Sequence, residues 1–231
     1  MEQAPEAWLS ALRTYCYPVV LSRYEGRERF PNHFTQVIAG DRDSTVAFEN
    51  YFRKNASHSI EVYFEVVFWK LYYFKDQRVA STIIEGINAK PASLFSAITK
   101  FVESPLIQIE NLKNIRRLLA LKVEDGRLAV ALTFPAFVNP ERFSIVDTHV
   151  ADWVNRNLES HSKGRIVELT RFDSRPKPLT DNDFQSYVNW VLWCRETAAV
   201  LSKKTSIAWR ARDVEMAVFS AEKRGLKLEA P

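Results

Sequence analysis

Cysteine and glycine are both scarce in this chain. Two cysteines in 231 residues, Cys16 and Cys194, cannot complete a four-cysteine zinc or iron–sulfur site. They supply no disulfide framework either, which fits a reducing compartment. Six glycines are too few for a many-turned β architecture or a glycine-rich nucleotide loop. The histidines, His33, His58, His149 and His161, have no His-x-x-x-His or His-Glu spacing, so no metal centre and no cofactor are expected. The opening Met-Glu-Gln-Ala-Pro-Glu is acidic and lacks the basic-then-apolar order of a signal peptide, which predicts an intracellular protein, cytoplasmic or nucleoid-associated. No repeat and no low-complexity run is present.

Bulky apolar residues are abundant instead. Apolar content is 46%, with six Trp, eight Tyr and fifteen Phe, enough for a substantial core. The densest segment, 59–75, carries Ile60, Phe64, Val67, Phe68 and Leu71 at helical spacing and further aromatics on the other faces. A helix apolar nearly all round belongs in a core. Glu61, Glu65 and Lys70 interrupt it, so it is no membrane span. Periodicity and punctuation predict further helices near 6–15, 43–54, 77–88, 91–102, 108–121, 127–138, 148–158, 181–202 and 210–224. A loop is expected at 23–31, and a connector at 160–180 with a short strand near 165–169. The fold class is therefore all-α. The formal charge of +4 and pI near 9.0 permit a polyanionic partner without requiring one.

One stretch carries chemistry. Phe143-Ser-Ile-Val-Asp147-Thr-His149-Val is a short apolar run that delivers a carboxylate to the start of an amphipathic helix. Asp147 is a natural N-cap there, and a side chain at such a junction can also face a cleft.

Residues 143–150 resemble the apolar-apolar-Asp-x-x-Val signature of the helix-hairpin-helix DNA glycosylase superfamily. Arg127-Leu-Ala129-Val-Ala-Leu-Thr-Phe134 resembles that family's second hairpin helix. Tyr187 to Phe219 is similar to the closing helices of its archaeal 8-oxoguanine branch. The resemblance extends loosely over 45–219 and is motif-like only at 143–150. It implies two helical lobes, 45–138 and 1–44 with 139–231, with Asp147 at the cleft between them. It also implies DNA as partner and Asp147 as catalytic carboxylate. Base excision passes through an oxocarbenium-like sugar, and a carboxylate can stabilise that cation or deprotonate the attacking water.

Two departures bear on function. Where the family hairpin reads Leu-Pro-Gly-x-Gly, this chain has Val123-Glu124-Asp125-Gly126-Arg127. Acids there compete with phosphate for the helix amides. The family's lyase lysine would fall near Leu128 or Ala129 and is absent. A glycosylase of this kind would be monofunctional or would take a lysine from elsewhere. A non-catalytic nucleic-acid- or protein-binding member of the fold, or a small-molecule enzyme reusing the cleft, stay open as alternatives.

The remaining candidates follow from what a flipped base needs, an aromatic pocket with a few polar groups. Lys70, Tyr72, Tyr73, Trp190, Trp193 and His149 are the pocket candidates. Lys70 is either a buried stem whose ammonium pairs with Glu65 or another acid, or a nucleophile of lowered pKa. Gly126, Arg127, Lys203, Lys204, Arg210 and Arg212 are the DNA-backbone candidates. Arg210, Arg212, Asp213 and Glu215 also suit an internal ion-pair network opening the last helix.

Overall fold

The computed structural model describes residues 3–17, 19–20, 37–38, 40–71, 77–119, 128–161 and 180–229. These are all-helical apart from one antiparallel pair of two-residue strands, Val19–Val20 and Val37–Ile38. The helices are α1 (Gln3–Arg13), α2 (Arg42–Asn55), α3 (Glu61–Lys70), α4 (Gln77–Ala89), α5 (Pro91–Glu103), α6 (Ile109–Leu118), α7 (Leu128–Val138), α8 (Thr148–His161), α9 (Asp181–Lys204) and α10 (Ala211–Arg224). Each expected helix is present, with ends shifted by a few residues. Residue 45 lies in the first turn of α2. The expected loop at 23–31 and the strand near 165–169 lie outside the described residues.

Local chemistry explains the helix ends. Asp41 accepts from Ser44 N at 2.8 Å and opens α2. Pro91 starts α5, where its missing N–H costs nothing. Thr180 and Asp183 cap each other's backbone at the head of α9. Gly225, at φ +67°, closes α10 in the left-handed region.

Helices α1, α8 and α9 pack on α10, while α2, α3, α5 and α6 pack on α7. Two aromatic clusters fill these interfaces. Trp8 meets Trp153, Trp193 and Trp209 at 6.3, 6.3 and 6.5 Å. Around α7, Phe137 meets Trp69 at 5.1 Å and Phe48 at 5.4 Å, and Phe134 meets Tyr63 at 5.6 Å. One continuous hydrophobic core includes both. α3 is buried on nearly every side, as its all-round apolar sequence requires. Among the described residues no helix is long and apolar enough to cross a membrane.

Candidate functional site

The run before Asp147 forms neither helix nor strand. Phe143, Ser144, Ile145 and Val146 are fully or almost fully buried. Irregular backbone in a core needs hydrogen-bond partners, and side chains of α9 and α10 supply them. The Tyr187 hydroxyl donates to Ser144 O at 3.3 Å and Trp190 Nε1 to Ile145 O at 3.4 Å. Ile145 N donates to Glu215 Oε2 at 3.4 Å.

The run ends at Asp147, which caps α8. Its Oδ1 accepts from Val150 N at 3.0 Å and its carbonyl from Ala151 N at 2.9 Å. Its Oδ2 lies 3.7 Å from Lys70 Nζ, at the far end of α3. Asp147 is 20% exposed and Lys70 only 8%, so the pair opens to solvent on the carboxylate side. Burial pulls Lys70 below the usual lysine range; Asp147 opposes that shift and Arg212 adds to it. Lys70 therefore pairs with Asp147 rather than Glu65. Glu65 instead shares a hydrogen bond with Tyr51.

Aromatic residues hold the pair in place. The Tyr17 hydroxyl donates to Lys70 O at 3.1 Å, and its ring lies 4.8 Å from Trp69. Phe219 meets Tyr17 at 5.9 Å on one side and His149 at 5.3 Å on the other. His149 is exposed in the first turn of α8. Tyr17 and Phe219 are the residues that sequence reasoning left out of the site. Nothing local marks them, because each acts through a contact distant in sequence.

Behind the pair lies a buried ionic network of three arginines and three carboxylates. Arg210 Nη1 contacts Glu49 Oε2 at 2.7 Å, and its other nitrogens hold Asp213 at 2.8 and 3.0 Å. Arg42 holds Asp213 from α2 at 2.9 and 3.1 Å. Arg212 Nε lies 3.3 Å from Glu49 Oε1, and Arg212 also pairs with Glu215. Burial works against the Asp213 carboxylate, but Arg210 and Arg42 outweigh it and hold its pKa below the usual range. Burial raises Glu49 despite its two arginines. The Tyr15 hydroxyl, beside this network, is pushed up to about 12 by burial, against the pull of Arg212. The Arg212 guanidinium also sits 5.7 Å from the Trp69 ring, which brings the network up to Lys70.

These positions correct several expectations. Arg210 and Arg212 are 8% and 1% exposed and engaged by carboxylates, so they present no guanidinium to a phosphate. Trp190 and Trp193 are buried at 0% and 7%, stacked 5.2 Å apart in the core, and do not line an open pocket. Lys203 and Lys204 are exposed in the last turn of α9. Tyr72, Tyr73, Gly126 and Arg127 lie outside the described residues. Cys194 is buried and its thiol is pushed well up by burial, as an inert core cysteine should be. Among the described residues, no group of His, Cys, Asp and Glu is arranged to hold a metal.

Comparison with protein-family models, with characterised proteins and with solved structures finds no match.

Proposed function

We propose that this protein recognises bases in DNA and excises one of them as a monofunctional N-glycosyl hydrolase, with Asp147 as the catalytic carboxylate. The observation that carries this reading is the state of that carboxylate. One oxygen caps α8 while the other, partly exposed, faces a nearly buried lysine. A carboxylate held this way can stabilise an oxocarbenium-like sugar or take a proton from the attacking water. In this reading residues 45–138 form one lobe and 1–44 with 139–231 the other. Lys70 comes from the first and Asp147 from the second, which supports a cleft at their meeting point.

The test is incubation at low salt with duplexes carrying single modified or mismatched bases, wild type beside Asp147→Asn. Base release that the Asn variant loses is the expected result. Binding without release from any duplex would replace this reading with a non-catalytic one. Neither binding nor release would remove the nucleic-acid function.

The Lys70–Asp147 contact favours a second reading, in which Lys70 is the nucleophile. Its neutral amine would attack the anomeric carbon and the base would leave with the glycosidic electron pair, taking a proton from water; the ring would then open to an iminium as one amine proton passes to the ring oxygen. Borohydride reduces such an adduct to a stable amine. A DNA-linked product from wild type and none from Lys70→Met would assign the chemistry to the lysine.

A further inference from the structure

With Arg210 and Arg212 turned inward, the proposed DNA interaction needs another source of positive charge near Asp147. The C-terminal end of α10 offers one. Lys223, Arg224 and Lys227 are all exposed. Lys223 Nζ lies 5.8 Å from the Phe219 ring, the ring that His149 meets at 5.3 Å. The lysine and the histidine thus meet one aromatic residue, and His149 stands two positions along the chain from Asp147.

The backbone here is well anchored. Gly225 turns the chain at φ +67°, and Leu226 N donates to Ala221 O at 2.9 Å. Leu228 is buried, and Glu229 O accepts from Trp8 Nε1 at 2.9 Å. Lys227 is therefore carried on a segment tied to α1. Cations in a helix's last turn are favoured by its dipole in any case. The dipole does not account for Lys227 beyond the turn, nor for the exposed imidazole that meets the same Phe219 ring.

We infer that Lys223, Arg224 and Lys227, with His149 at their edge, form the surface that holds the nucleic-acid phosphate backbone around Asp147. This rests on the reading of the protein as DNA-binding. A nucleotide presented to Asp147 brings its flanking phosphates to the rim of the site. Each phosphate neutralised there releases counterion, which makes the affinity steeply salt-dependent.

The experiment is a salt titration of binding to an unmodified fluorescent duplex, read by anisotropy. It compares wild type with the triple variant Lys223→Gln, Arg224→Gln, Lys227→Gln. A charge-matched control replaces the exposed Lys54, Lys90 and Lys100 with Gln. Thermal melts verify that both variants fold. The triple variant should bind roughly tenfold or more weakly at low salt, and its log–log salt slope should fall by about 2 to 3. The control should keep the wild-type slope. An unchanged slope in the triple variant, or an equal drop in the control, overturns this surface and leaves the DNA reading standing. No binding by wild type overturns both.

Discussion

Lys70 Nζ and Asp147 Oδ2 stand 3.7 Å apart, joining the end of α3 to the head of α8. Neither residue is fully committed to the other. Asp147 keeps its second oxygen on the α8 amide of Val150, and burial disfavours the Lys70 ammonium that the carboxylate supports. The pair is thus a capping element and a charge contact at once, and the two parts can be separated by substitution.

Asp147→Ala removes both. Loss of the cap costs about 1 kcal/mol, and an unpaired, nearly buried ammonium raises the total to about 2 to 3 kcal/mol. Asp147→Ser restores a capping oxygen and should recover about 1 kcal/mol of that. The Ala variant should also gain stability as pH rises. A folded-state lysine pKa below the unfolded value of 10.5 means the folded state binds fewer protons between those two values, so stability rises with pH across that window. Urea melts of the three proteins at pH 7 and pH 9 check this. Equal stability of the Ala and Ser variants would refute a capping role.

Glu49 is the central anion of the buried network. Glu49→Ala leaves Arg210 and Arg212 facing a void and should cost about 3 to 5 kcal/mol. Arg42→Ala should cost less, because Arg42 is 29% exposed and Asp213 keeps Arg210. Urea midpoints rank the two; a milder effect at Glu49 than at Arg42 would contradict the network's reading.

Glu65 makes stability depend on pH. Burial pushes its carboxyl up to about 7 from the ordinary 4.5, against the hydrogen bond with Tyr51 and with help from Glu61. A carboxyl raised on folding favours the native state fully below pH 4.5, and that contribution is lost as pH rises through 7. Glu65→Gln should therefore be more stable than wild type at pH 8, by about 1 to 2 kcal/mol after allowance for partial exposure. The difference should shrink towards pH 4.5. Thermal melts across this range decide it; a pH-independent difference would show that the carboxyl does not titrate as described.

The helices were readable because their signals are local. Ile60, Phe64, Val67 and Phe68 recur at helical spacing, Pro91 opens α5, and Thr180 with Asp183 caps α9. Asp147 was readable as an N-cap for the same reason. The Arg210, Arg212, Asp213, Glu215 cluster was also legible as an ion-pair network, since its members are near neighbours in sequence. Its partners on α2, Arg42 and Glu49, were not, because nothing around them marks a buried ionic contact. Trp190 and Trp193 misled because an aromatic in a pocket and one in a core share the same local sequence. Only burial distinguishes them, with Trp193 against Trp8 and Trp153 and Trp190 stacked on Trp193.

Periodicity, caps and composition were thus enough to dictate ten helices among the described residues, an aromatic core and a carboxylate at the head of α8. These depend on interactions within a few residues, which any stretch of chain carries with it. Which lysine meets that carboxylate, which arginines turn inward, and which cations stay exposed were settled by helix packing alone. Charge contacts fall off over a few ångströms, and distances that short between remote segments exist only once the chain has folded.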